Sequence, residues 1–309
     1  MKILIVCSHR NYASYTEYMA PFIYEQIQGL KEIGCDFRVC FVKGGGLKAY
    51  IQAWRNMQKL IKEFKPDIIH AHYGLCCLLA NMQRKVSVVS TYHGSDINNP
   101  KVRMFSKIAI RLSKINIFVS KQLYDIAKQP KKSIIIPCGV DTNLFCYHDK
   151  VEARRQLGWK EKKHYVLFSK MFTDPIKNYP LAKAAIDHLK DVELVEFIGY
   201  TRQESVLLYN AVDAVIMTSF TEGSPQFIKE ALACNTPIVS VNVGDVATLI
   251  NGVDNCQLCS YDAISLSNAL DDIFKNNRRT YGHEQIIKLE LDNNTIIHKI
   301  KNVYDQVAN

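Results

Sequence analysis

Two carboxylates, a lysine and a histidine carry the most pointed chemistry in the sequence. Glu222 and Glu230 stand with seven residues between them in Met217-Thr218-Ser219-Phe220-Thr221-Glu222-Gly223-Ser224-Pro225-Gln226-Phe227-Ile228-Lys229-Glu230-Ala231-Leu232-Ala233. This stretch reads as a strand end, a glycine-containing loop and a helix, with Ser224 as N-cap and Pro225 in the first turn. The amide groups and dipole of such a helix start suit a phosphate. Glu222 at the strand's carboxyl end, and Glu230 about a turn and a half into the helix, can accept hydrogen bonds from sugar hydroxyls. Taken alone, the pair reads equally well as a loop charge and a solvated helix residue. Lys177 lies between another strand end and a helix start, where a cation can meet an anionic ligand; a solvated surface lysine is the plainer alternative. His93 follows an apolar strand in the loop Thr91-Tyr92-His93-Gly94-Ser95-Asp96. A lone histidine is more often structural, but this loop setting favours a functional one.

Residues so scattered need a scaffold that gathers strand ends. Short β-rich runs alternate with helix-period stretches throughout, the pattern of βαβ units around parallel sheets. In the first half, strands are predicted at Lys2–Cys7, Asp36–Val42, Asp67–His70, Val86–Tyr92, Ile115–Ser120 and Ser133–Pro137. Helices fall at Pro21 to Gly34 and Leu47–Phe64. The polar run Trp159-Lys160-Glu161-Lys162-Lys163 reads as a linker, and the rhythm then resets. New strands are predicted at Tyr165–Ser169, Val192–Phe197, Ala214–Thr218, Pro237–Val241 and Cys256–Cys259, with a long last helix near His283–Val307. The expected architecture is α/β: two Rossmann-like, doubly wound parallel-sheet domains facing a central cleft, with ligands at the strands' carboxyl ends. The expected domains are residues 1–155, with a C-terminal helix at about 290–309 packing back on them, and residues 156–289.

Composition narrows the class. The chain has 309 residues, 48% hydrophobic and 22% charged, which excludes a disordered or collagen-like protein. No apolar run reaches the ~18–20 residues of a membrane span, and the opening Met1–Cys7 lacks the features of a signal peptide. The ten cysteines are therefore expected to stay reduced in the cytoplasm. Cys256-Gln257-Leu258-Cys259 has no partner pair, so no metal site is expected. Residues 1–150 hold 22 Lys+Arg against 10 Asp+Glu, whereas residues 151–309 hold 17 against 20. That asymmetry suggests an anionic partner for the first half, nucleic acid being excluded for want of any such module, with drift in surface lysines as the plain alternative.

The segment Glu222-Gly223-Ser224-Pro225 through Glu230-Ala231-Leu232-Ala233 resembles the signature of nucleotide-sugar glycosyltransferases of family four, retaining enzymes of the GT-B fold. Asp67-Ile68-Ile69-His70-Ala71-His72 is similar to the family's strand ending in a His-containing loop, and His93-Gly94-Ser95-Asp96 to its His-Gly-x-Asp element. Ile136-Pro137-Cys138-Gly139-Val140-Asp141 resembles the segment that closes the first domain, and Val243-Gly244-Asp245 a donor-side loop. The resemblance implies that Lys177 and Lys170 contact the donor diphosphate, that Glu230 holds the ribose and that Glu222 holds the donor sugar. Gly223, Ser224, Pro225 and Gln226 would add backbone contacts, and His93 would touch the sugar near its anomeric carbon. It implies no metal and no cofactor beyond the nucleotide-diphosphate sugar itself. Three departures stand out: Ser169-Lys170 replaces a usual Gly-Arg, Cys138 replaces a usual Asn, and the loop Ser8 to Tyr15 lacks paired glycines.

The expected activity is that of a metal-independent retaining hexosyltransferase. It would move a sugar from a UDP- or GDP-linked donor to a hydroxyl on a glycan or lipid-linked glycan, in surface polysaccharide or glycolipid assembly. A non-catalytic sugar-nucleotide-binding subunit, or an epimerase or phosphorylase of the same fold, is the alternative. Arg10, Tyr12, Tyr15, Tyr18 and Tyr24 cluster near the first loop and helix, either as an acceptor wall or as an ordinary aromatic helix face. Lys101, Arg103, Lys107, Arg111 and Lys114 recur at helical steps among Val102, Met104, Phe105, Ile108 and Leu112. Such a basic amphipathic helix either covers a sheet or rests on an anionic membrane, which would make the protein cytoplasmic and peripheral at the inner membrane face.

Overall fold

The aliphatic run Lys2–Ser8 (β1) is the strand around which the first sheet grows, its side chains alternating between two buried faces. A computed structural model of the protein describes residues 1–9 and 19–308. The chain divides into two units, Met1–Gly139 with Asn293–Asn309, and Val140–Asp292.

In the first unit, β2 (Asp36–Val42), β3 (Ile68–His72), β4 (Ser87–Tyr92), β5 (Ile115–Phe118) and β6 (Ser133–Ile135) join β1 in the parallel order β2-β1-β3-β4-β5-β6. Ile5 lies beside Val39 on one side and His70 on the other. Ile3 and Ile5 meet the helices Pro21–Glu32 and Asn293–Ala308, with Ile23, Ile27, Ile300 and Tyr304. Leu4 and Val6 meet the opposite layer, which includes helices Gly46–Phe64, Gly74–Met82 and Pro100–Leu112. The two helices of the first layer touch closely: a Cβ on Gly29 would stand 1.9 Å from Ile297 Cδ1.

In the second unit, β7 (His164–Phe168), β8 (Val192–Glu196), β9 (Ala214–Met217), β10 (Ile238–Val241) and β11 (Cys256–Cys259) form a parallel sheet in the order β11-β10-β9-β7-β8. Both sheets carry helices on their faces, the doubly wound α/β class that the strand rhythm implies.

Two boundaries differ from the sequence reading. The run Trp159–Lys163 is a turn inside the second unit, where Trp159 stacks on Tyr165 at 4.2 Å and Lys160 N donates to Tyr165 Oη at 3.1 Å. The helix before it, Lys150–Leu157, is bound to the same unit. Arg154 reaches Asp213 at 2.7 Å and the Ala211 carbonyl at 2.8 Å, and Lys150 reaches Asp213 at 3.1 Å. Residues 140–155 therefore go with the second unit. The long last helix is two helices, Gly282–Lys288 and Asn293–Ala308. Between them Glu290 takes a left-handed φ of 53° and Leu291 O accepts from Val140 N at 2.9 Å, which ends one unit before the final helix begins.

Candidate functional site

In the second unit the candidate residues collect at the carboxyl ends of β7 and β9. After β7 a single 3-10 turn, Pro175–Lys177, is opened by Asp174, whose carboxylate accepts from Ile176 N at 3.0 Å. Thr218 Oγ1 donates to the carbonyls of Lys177 (2.8 Å) and Asn178 (3.0 Å), and Phe220 N donates to Ile176 O at 2.9 Å. These bonds stitch the turn to the end of β9, and Lys177 Nζ comes to rest 2.5 Å from Glu222 Oε1. Both side chains are mostly buried, at 15% and 14% exposure. Lys170 is not brought to this pair: it makes an ion pair of 2.7 Å with Asp174 and is half exposed.

Helix Gln226–Ala233 begins later than its sequence suggests. Pro225 occupies the cap position in extended backbone, and no side chain caps the helix. Pro225 O accepts from Ile228 N at 3.2 Å and Lys229 N at 3.4 Å, so helical bonding starts at the proline. Ser224 precedes the cap rather than forming it, one residue too early for its hydroxyl to reach the N2 or N3 amide. Gly223 and Ser224 instead form the loop leading into the helix start. The loop Val243-Gly244-Asp245 closes against them: Gly244 has φ +61°, and a Cβ there would sit 3.1 Å from Glu222 Cβ and 3.2 Å from Gly223 O.

Glu230 is 4% exposed, which removes the solvated-helix reading. Its Oε1 accepts from Arg202 Nη1 at 2.5 Å and its Oε2 from Tyr209 Oη at 2.9 Å. The Arg202 guanidinium lies 4.3 Å over the Phe145 ring. Burial, with the Glu230 charge beside it, pushes the Tyr209 phenol well above its ordinary value, so it stays a donor. Each carboxylate oxygen keeps a lone pair for a further donor. Arg202 and Tyr209 escaped the sequence reading. Their signal is the capping box Thr201 to Glu204, which starts helix Arg202–Ala211 after β8 and puts Arg202 in its first turn.

Lys229, next to Glu230, was also missed; it is fully buried and donates to Gln226 Oε1 at 2.9 Å. Burial raises the nearby Asp245 carboxyl above its ordinary value, against the opposing pull of Lys229. Ser169 and Ser219 follow β7 and β9. Their hydroxyls are buried without a hydrogen-bond partner among the described residues.

In the first unit, His93 stands in the loop after β4. Its backbone N–H donates to the buried Asp96 carboxylate at 3.1 Å and Gly94 N does so at 2.8 Å, with Gly94 at φ 141°. The aspartate of the His-Gly-x-Asp element thus clasps its own turn. His93 Nε2 is 3.1 Å from His72 Nδ1, and its Nδ1 is 3.6 Å from Cys138 Sγ. Cys138, one of the sequence departures, is therefore a neighbour of His93. His70 and His72 are core residues of β3, fully buried. His70 is held by Tyr304 at 2.6 Å and Thr91 at 2.7 Å. Burial lowers both imidazoles, His72 to about 3. Arg10, Tyr12, Tyr15 and Tyr18 lie outside the described residues, and Tyr24 packs half-buried against the first layer.

Residues 15–144 match the family model Glycosyltransferase Family 4, and residues 173–276 match Glycosyl transferases group 1, together more than half of the chain. Among curated proteins, TuaC of Bacillus subtilis, named as a glycosyltransferase of teichuronic acid biosynthesis, is 24% identical over 262 residues, 74% of this chain and 65% of that protein. The D-inositol 3-phosphate glycosyltransferase of Mycobacterium marinum is 24% identical over 267 residues, 70% of this chain and 57% of that one. The chain thus spans less than two thirds of the length of these relatives. Among solved structures, sucrose-phosphate synthase from Thermosynechococcus elongatus superposes with a TM-score of 0.84 at 16% identity, covering 99% and 98% of the two chains. Anabaena HepE in complex with UDP gives 0.77 at 16% identity, covering 99% and 100%. These last two are likenesses of fold, and the fold is that of two doubly wound units called GT-B. With both halves matched in order, the chain belongs to the family four, group 1 glycosyltransferases.

Proposed function

We propose that this chain is a retaining hexosyltransferase that moves a sugar from a UDP- or GDP-linked donor to a hydroxyl of a glycan or lipid-linked glycan, in surface polysaccharide or glycolipid assembly. The observation that carries the reading is the Lys177–Glu222 pair beside the uncapped start of helix Gln226–Ala233, at the carboxyl ends of a parallel sheet. That HepE is solved with UDP and with UDP-glucose supports a nucleotide-sugar donor.

The chemistry follows from the pairing. An arriving diphosphate competes with Glu222 for Lys177, so donor binding releases the carboxylate to accept sugar hydroxyls. As the bond from the anomeric carbon to the phosphate oxygen breaks, negative charge grows on the leaving diphosphate, facing Lys177 and the helix dipole. The acceptor oxygen attacks from the same face, and its proton passes to the leaving phosphate oxygen. Glu230, its charge balanced by Arg202, accepts from the ribose hydroxyls with its remaining lone pairs. The scheme asks for no metal, because Lys177 and the helix start supply the positive charge.

A thermal-shift titration with UDP, GDP, ADP and CMP tests the donor site. A ligand at a hundred times its dissociation constant adds about 2.7 kcal/mol, and one diphosphate is expected to do so. No shift with any of them overturns the reading. Lys177→Ala is expected to weaken the diphosphate about 10- to 100-fold while leaving the nucleoside unchanged, since its charge meets only phosphate; equal losses for both refute that role. Glu222→Ala is expected to spare free nucleotide and cut transfer about 100-fold. Transfer at the wild-type rate removes Glu222 from the site, and nucleotide binding without any acceptor-dependent release identifies a non-catalytic subunit.

A further inference from the structure

Helix Pro100–Leu112 exposes most of its large apolar residues. Its inward side is Ser106, Ala109 and Ile110, and Ser106 Oγ donates to Asp96 O at 2.8 Å. Met104, Phe105, Ile108 and Leu112 are 60%, 39%, 44% and 38% exposed. At about 100° per residue these four share an arc of roughly 100°, turned away from Ser106 and Ile110. The covering reading of this helix therefore accounts for its inward side and leaves its apolar stripe unexplained.

Charge selects the occupant. Lys101, Lys107, Arg111 and Lys114 are exposed around the stripe, and none is in an ion pair among the described residues. Arg103 is committed to the carbonyls of Ile97 and Asn98. Residues 43–114 as a whole hold 13 Lys+Arg against 3 Asp+Glu, and one of those acids, Asp96, is buried. An apolar stripe alone fits a second protein. A stripe set in cations of one sign, beside a helix layer equally short of acids, fits an extended anionic apolar surface.

We propose that helix Pro100–Leu112 docks the first unit on anionic phospholipid. Met104, Phe105, Ile108 and Leu112 enter the headgroup–acyl boundary, and the lysines and arginine meet the phosphates. The contact is peripheral, since no helix among the described residues is long and apolar enough to cross a membrane. The helix belongs to the first unit and the donor residues to the second, so the two readings rest on different residues and fail separately.

The test is cosedimentation of the full chain, without nucleotide, with phosphatidylcholine vesicles that contain or lack phosphatidylglycerol. Binding is expected to be about tenfold or more stronger with phosphatidylglycerol and to fall as salt rises. Phe105→Ser with Ile108→Ser is expected to abolish binding at low salt, and Lys107→Glu with Arg111→Glu to remove the lipid selectivity. Because all four positions are exposed, circular dichroism and melting should match the wild type. A wild-type chain that stays in the supernatant, equal binding to both vesicles, or full binding by both variants overturns the proposal. A serine variant that turns a dimer into a monomer by light scattering, with no vesicle binding by the wild type, assigns the stripe to a second copy instead.

Discussion

Replacing Glu230 with alanine is expected to destabilise the second unit by about 3–5 kcal/mol, the range for breaking one half of a buried ion pair. The carboxylate is 4% exposed and holds Arg202 at 2.5 Å and Tyr209 at 2.9 Å. Without it, a guanidinium at 14% exposure keeps its charge against Phe145 with its carboxylate gone, and the fully buried Tyr209 hydroxyl loses its acceptor. Glu230→Gln retains an acceptor for Tyr209 and the side-chain shape, so its loss should be smaller, about 1–3 kcal/mol. Urea unfolding of both variants, with Arg202→Met alone and combined with Glu230→Ala, isolates the coupling. A loss below about 1 kcal/mol for Glu230→Ala would mean that the pair contributes little to folding and that Glu230 acts on ligand alone. The consequence for function is direct. Weak nucleotide binding by Glu230→Ala reports unfolding as readily as a lost ribose contact, and the glutamine variant is the one that separates them.

The sequence was most legible where periodicity and local turn chemistry agree. Continuous Ile/Val runs marked the strands because these strands are covered on both faces, and Pro21 marked a helix start because its missing N–H costs nothing there. The run Trp159–Lys163 misled because a polar, lysine-rich turn has the same composition whether it joins domains or merely precedes a strand. What ties it down is Trp159 on Tyr165 and Arg154 on Asp213, pairs that composition does not show. The site divides the same way. Glu222 and Glu230 stood out through the resemblance of their segment to a known signature, but Arg202 is 28 residues before its partner and Lys177 is 45 before Glu222. Long-range pairs of this kind are set by strand order, so local pattern names the residues and leaves their partners unassigned. Helix Pro100–Leu112 shows the converse: its alternating apolar and basic residues were plain, yet only packing reveals that Ser106 and Ala109, not Phe105 and Ile108, face the rest of the unit.

Acidification is expected to destabilise the first unit, by about 3 kcal/mol between roughly pH 6 and pH 4. His70 and His72 are buried neutral, with native values well below 6.5 and about 3. Below about pH 6.5 the unfolded chain protonates both while the native chain protonates neither, so stability falls as pH falls. Asp96 opposes this. Burial raises its carboxyl to about 6, above its unfolded value, so the native state takes up a proton first and stability from this group is lost as pH rises through 6. Two histidines against one aspartate leave a net excess of about one proton on the unfolded chain across this window, or about 1.4 kcal/mol per pH unit. Urea midpoints measured at four pH values across it give the slope. His72→Gln should bring that slope near zero, because one histidine then balances Asp96; Asp96→Asn should double it. A wild-type slope near zero would mean that the imidazoles gain charge in the native state. The contacts of His70 with Tyr304 at 2.6 Å and Thr91 at 2.7 Å would then be those of a charged ring inside the sheet.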